Sequence, residues 1–341
     1  MTALKKAPAV TASFVLVCCI LGAVAVGTTI LFAICIGPTP LSPGKMISWV
    51  MGQEVPDPTE RTILMEIRLP RVLLTGLVGA LLSVCGAVLQ ALLMNPLAEP
   101  FVLGISSGAA LGALSSMVLG VGLWSMGTST AAFLGAVGTI VLVLALAGER
   151  GRVNMTRLLL TGVIVNAFFT SMIMLLVSLS RTEQLHSVLF WLYGDLSGAR
   201  YDQIWLMGAS CLGGLVLFFG HARALNLMGL GEQVAEQLGV QVRRSRTLLI
   251  GVTSLLTALA VSSTGLIGFV GLIVPHLMRM ALGADHRVLI PTSALGGAIF
   301  LIIADALART IVSPSEVPVG VITAALGAPF FILLLRAGGN T

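Results

Sequence analysis

The chain has 341 residues, 57% of them hydrophobic and 10% charged, with a formal net charge of +5 and a mean hydropathy of +1.03. That composition exceeds what a soluble domain uses, so the solvent is a bilayer and soluble enzymes and nucleic-acid binders are excluded.

Taken in chain order, the apolar runs split at their Gly, Ser and Pro breaks into ten spans: residues 10–36, 72–93, 101–119, 130–147, 158–180, 204–220, 247–263, 266–282, 288–308 and 317–335. Most approach or exceed the roughly 20 residues that cross a hydrocarbon core as helix. They lack the alternation of barrel strands, and unpaired backbone groups in lipid cost several kcal/mol, so helices are expected throughout. The fold class is therefore an all-α integral membrane protein of about ten transmembrane helices. The loops leave no room for a soluble domain, and residues 1–341 are one membrane domain. Lys5 and Lys6 with "AVA" at residues 23–25 imitate a secretory leader, but the first apolar run is longer than the roughly 7 to 15 residues of a leader core.

Orientation follows from the basic residues of alternate loops. With the N-terminus inside, twelve Lys and Arg fall on the cytoplasmic side and seven outside, which places both termini in the cytoplasm. Arg68, Arg71 and Arg309 then lie on the face where the rule disfavours cations, and an external partner is expected for them. A weak echo relates "SVCGAVLQALLMNP" (83–96) to "SSTGLIGFVGLIVP" (262–275), which share Ser, Gly and Pro at a constant offset of 179. It points to an inverted repeat of spans two to five against seven to ten. Gly104, Gly108 and Gly112, like Gly79, Ser83 and Ala87, recur every four residues, a spacing that lets helix backbones approach.

What is missing narrows the function. No phosphate-cradling Gly-x-x-x-x-Gly-Lys-Ser/Thr loop is present, since Lys45 is followed by Met46, so this chain does not itself hydrolyse ATP. Ion-coupled carriers usually bury carboxylates at mid-membrane, whereas the one acid inside a proposed span and away from its ends is Asp305, with Arg309 one turn on. The five cysteines lie in apolar runs without metal-ligand spacing, and His186, His221, His276 and His286 sit near span ends or in loops, so no metal site and no catalytic constellation is expected.

Two stretches on the cytoplasmic side stand out. In "NPLAEP" (95–100), two prolines and an Asn force a non-helical link between spans two and three. In residues 225–246, Leu230, Val234 and Leu238 recur every four positions while Glu232, Gln233, Glu236 and Gln237 face elsewhere, which describes a short amphipathic helix ended by Gly239. It lies in the membrane interface or docks a cytoplasmic partner, and docking is the preferred reading.

The ordered motifs "EIRLPR", "GAVLQALLMNPLAEPFVLGISSGAALGA", "LGEQVAEQLGV", "GLIGFVGLIVPHLMR", "DHRVLIP", "ADALAR" and "EVPVGVITAALGAPFF" resemble those of the permease subunits of ABC importers for iron chelates, haem and cobalamin. The resemblance runs from about residue 60 to the C-terminus. It implies a homodimer of ten-span subunits with the path at the dimer interface. Two ATPase subunits sit beneath, supplying ATP and magnesium sites, and a substrate-binding protein docks outside on residues matching Arg68, Arg71 and Arg309. The segment holding Leu230, Gly231, Glu232, Val234, Leu238 and Gly239 resembles the helix that couples to the ATPase, and Asn95 and Leu97 match a cytoplasmic gate. A second gate element matches Met155 and Thr156, where Met155 departs from the small hydroxyl residues usual there. The expectation is thus a bacterial inner-membrane importer permease for a large metal chelate, a ferric siderophore or haem, with cobalamin as the alternative. A stand-alone secondary carrier or channel is the alternative of another class.

Overall fold

In the computed structural model, residues 11–37, 44, 57–119, 127–149, 152–153 and 155–338 are described. Lys5, Lys6, Lys45 and Arg150, which enter the charge count, lie outside them. Among the described residues, ten apolar helices match the ten runs. Seven are long enough to cross a membrane: α1 (Ala12–Cys35), α2 (Pro58–Leu92), α4 (Gly127–Ala147), α5 (Met155–Leu179), α7 (Tyr201–Gly220), α10 (Val242–Thr264) and α12 (His286–Ala308). Three are shorter: α3 (Ile105–Leu119), α11 (Val270–Leu282) and α13 (Val319–Gly338). Between them lie the non-spanning α6 (Thr182–Leu192), α8 (Ala222–Met228) and α9 (Glu232–Gln237). Among the described residues the only strand pairing is a two-residue ladder, Gly148–Glu149 against Arg152–Val153.

Helix α2 is the axis of the bundle, and of its residues 69–92 only a few escape burial. The apolar window opens at 72, where charged side chains end, yet the helix runs back to Pro58 through Glu66, Arg68 and Arg71. The extension carries a π-helical turn at Ile63–Arg68, in which the Leu69 N–H reaches the Leu64 carbonyl. Pro70 follows at once, and a proline, which has no N–H to give and crowds the preceding turn, is a recognised cause of such a local opening.

Small residues decide which helices touch α2. A Cβ at Gly79 would collide with the Gly297 carbonyl of α12, and one at Gly86 with the Gly271 carbonyl of α11. The same logic joins α3 to α4, where Gly108 and Gly112 lie against Gly135 and Ala131. The four-residue spacing is therefore helix packing, as expected for contacts made without a hydrophobic driving force between helices. Gly86 and Gly271 also bring the two echoing segments into direct contact. By contrast α1 is peripheral, with its apolar side chains from Leu16 to Phe32 largely exposed.

Candidate functional site

The outer cluster implied by the resemblance exists, but its cations are not free. Arg68, Arg71 and Arg309 are 4, 7 and 3% exposed. Arg71 and Arg68 are three residues apart on α2, so both fall on one face. Arg71 pairs with Asp305 at 2.9 Å and with Glu316 at 2.8 Å, and Arg309 pairs with Asp305 at 3.0 Å. Arg309 also donates to the carbonyls of Ala33 and Ile36, and Arg68 to that of Ile34 at 2.9 Å. These carbonyls are the orphan acceptors at the C-terminus of α1, where cations are favoured by the helix dipole. An external partner is therefore not needed to explain positive charge at this end, because its first ligands are internal.

At the opposite end of α2 the chain leaves the helix through Met94, whose φ of 46° is left-handed, and Asn95 folds its side chain onto the Leu97 N–H at 2.9 Å. Asn95 and Leu97 are exposed, while Ala98 and Pro100 are buried. A 3-10 turn, Pro100–Leu103, closed by Gly104 at φ 77°, delays α3 to residue 105 rather than the expected 101. This turn packs on α5 where Gly162 meets the Val102 carbonyl, about two helical turns from Met155 and Thr156. Thr156 is exposed and Met155 half-buried.

Three breaks between helices come together in a way that the sequence did not disclose. The Asp195 N–H donates to the Thr264 carbonyl, Leu266 to Trp191, Val319 to Gly194 and Gly320 to Tyr193. Helix α11 has 13 residues, a rise of about 20 Å against a core of about 30 Å, so the 265–269 turn sits within the membrane thickness. Irregular backbone there must be satisfied by protein or line a cavity, and these exchanged bonds do the former. The clue was Gly194, Gly265 and Gly320: the first two adopt positive φ, and a Cβ at Gly265 or Gly320 would strike a carbonyl of the α6 end.

The segment for which docking is the preferred reading holds a helix, shorter than expected, covering Glu232–Gln237 between Gly231 at φ 113° and Gly239 at φ 85°, so that Leu230 and Leu238 flank it. Ala235 is its buried side, whereas Leu230, Val234 and Leu238 are 67, 41 and 54% exposed. Three apolar side chains thus point away from the protein's own core. The segment is anchored upstream: Asn226 of α8 donates to Asp285 at 2.8 Å and accepts from the His286 N–H at 2.9 Å. The hydrogen bonds from Arg287, with the one from Asn226, hold the Asp285 carboxyl well below the usual carboxylate range. The helix immediately before α9 is thereby tied to the first turn of α12.

A family model described as the FecCD transport family matches residues 20–337. The chain belongs to the FecCD transport family. It is 44% identical over 278 residues to a cobalamin import system permease of Halobacterium salinarum, covering 82% of this chain and 74% of the relative. It is 42% identical over 279 residues to a hemin transport system permease of Yersinia pestis, covering 80 and 83%. A solved structure described as an inward-facing conformation of a metal-chelate type ABC transporter superposes with a TM-score of 0.82 at 32% identity, covering 94% of this chain and 98% of that one. This member of the family is a multi-pass ABC transporter permease built of helices.

Proposed function

We propose that this permease forms a homodimer in a bacterial inner membrane, with both termini cytoplasmic, and conducts a large metal chelate, a ferric siderophore or haem, inward in a cycle driven by ATP. Two separate ATPase subunits hold the nucleotide and magnesium and seat on Leu230, Val234 and Leu238. A substrate-binding protein approaches the end carrying Arg68, Arg71 and Arg309. There Arg71 and Arg309 share the buried Asp305, and Arg71 also reaches the more exposed Glu316, so a carboxylate of an acidic partner can compete for Arg71 at the rim. Direct pairing of that partner with Arg71 displaces Glu316, whose side chain is the more exposed of the two acids.

The observation that carries this reading is the exposed apolar set Leu230, Val234 and Leu238 in and beside α9, on the segment that follows α8, which is itself bonded through Asn226 to the start of the buried α12. A carrier working alone has no use for such a face. The test is reconstitution of the chain in liposomes with its ATPase and binding protein, offering ferric siderophore, haem and cobalamin in turn. Uptake of an iron chelate that requires ATP and both partners is the expected result. Uptake of cobalamin alone replaces the substrate, and uptake by the chain without ATP or partners replaces the mechanism with that of a stand-alone carrier.

A further inference from the structure

One acidic side chain inside the bundle takes no part in any of these roles. Glu99 sits in the link after α2, half-buried, and among the described residues no cation pairs with it. Its Oε1 accepts from the Phe269 N–H at 2.7 Å, across 170 positions of sequence. An acid in a membrane bundle is costly and persists where a partner offsets that cost. The partner here is a backbone amide in an unusual place. Phe269 holds φ at 69°, a left-handed conformation that a bulky residue adopts only where its surroundings fix it, and it precedes α11.

The surroundings that fix Phe269 are two. Glu99 holds its amide, and its ring lies on Gly327 of α13, where any Cβ would collide with the ring. Gly268, the preceding residue, also faces the Glu99 carboxylate and the Phe101 ring. A single carboxylate therefore joins the non-helical link that carries Asn95 and Leu97 to the turn between α10 and α11, and through Phe269 to α13. A second tie runs beside it: Gln90 donates to the Gly271 carbonyl at 3.1 Å and accepts from Arg279 at 3.1 Å. That tie fixes α2 to α11, and the link is packed on α5 at Gly162, but its side-chain hydrogen bond to the 265–269 turn is made by Glu99.

We propose that Glu99 is a positioning residue, whose carboxylate makes the 93–104 link, the 265–269 turn and α13 move as one piece. The mechanical role rests on the permease reading above, because only in a transport cycle does the link have to follow other elements. The bond itself does not depend on that reading, and the test separates the two. Amide hydrogen exchange is measured by mass spectrometry on peptides spanning 266–272 in the full chain, in detergent, without partners. Glu99→Ala removes the acceptor and is expected to speed exchange at Phe269 about tenfold, as loss of the partner of an enclosed backbone amide implies. Glu99→Gln keeps a carbonyl oxygen at the same reach and stays within about threefold of wild type. Glu99→Asp, shorter by one methylene, behaves like Glu99→Ala and answers the question if the alanine variant is not recovered.

In the reconstituted transporter, Glu99→Ala lowers substrate moved per ATP hydrolysed by about threefold or more while ATP hydrolysis continues, and Glu99→Gln restores the ratio. Exchange at Phe269 that is unchanged in both Glu99→Ala and Glu99→Asp overturns the tie. Faster exchange with an unchanged transport ratio overturns the positioning role. Absence of ATP-driven transport in the wild type sinks the permease reading and leaves the exchange result standing.

Discussion

At the scale of single residues, Asp305 is the side chain on which most depends. It is almost fully buried and lies between Arg71 and Arg309, so it neutralises two buried cations at once. Replacing it with Ala leaves both guanidinium groups short of a counter-charge, and removal of one member of a buried ion pair costs about 3 to 5 kcal/mol. The expected outcome is a lower unfolding midpoint and poor recovery of folded Asp305→Ala. Replacing Glu316, whose side chain is 32% exposed, should cost much less, and equal costs would refute the central position of Asp305. The sequence made Asp305 and Arg309 visible as neighbours one turn apart, but their tie to Arg71 spans 234 positions, and no local pattern encodes that. Glu99 was hidden for a different reason. It stands between Pro96 and Pro100 in a stretch of turn chemistry, where acids are ordinary, and only the tertiary placement of Phe269 reveals its tie to the 265–269 turn.

Among the elements, α9 was legible in part: Leu230, Val234 and Leu238 at four-residue spacing with polar neighbours point to a helix there, but Gly231 at φ 113° starts it after Leu230 and it ends before Leu238, so of the three only Val234 lies within it. Its expected role follows from exposure. Val234 and Leu238 are exposed in the single chain, and enclosing each by a partner contributes about 1.5 to 3 kcal/mol. Replacing both with Asp should leave the permease inserted in the membrane and unable to retain its ATPase during purification. Ala235, the buried contact, is untouched by that change, so the helix itself stays in place. Co-purification of a full ATPase complement with the double variant would show that docking lies elsewhere. The short helices were less legible. α11 starts at 270 rather than 266 because Gly265 and Phe269 both take positive φ, and a hydropathy window is blind to backbone conformation.

For the whole molecule, an all-helical membrane bundle was legible from the apolar runs and their Gly, Ser and Pro breaks, of which seven became helices long enough to span among the described residues, whereas the face that meets a second copy was not legible. Lipid and a partner helix select the same apolar side chains, so exposed residues such as Val163 and Ile164 on α5, or Leu212 and Val216 on α7, do not by themselves distinguish the two. A test of the assembly must therefore use position rather than apolarity, and Asn95 and Leu97 supply it. Both are exposed on a link held out of helical conformation by Pro96 and Pro100, so a thiol at either site projects from the subunit instead of folding back into it. In a homodimer whose path runs between the subunits, Asn95→Cys or Leu97→Cys should cross-link to its symmetry mate in one nucleotide state and much less in another, because closure alternates through the cycle. The experiment needs a background in which Cys18, Cys19 and Cys35, which are partly exposed, are replaced by Ser, while buried Cys85 and Cys211 can stay. Yields that are equal with and without ATP, or absent in every state although the thiols react with a soluble maleimide, would make the link a plain turn and place the constriction at Met155 and Thr156.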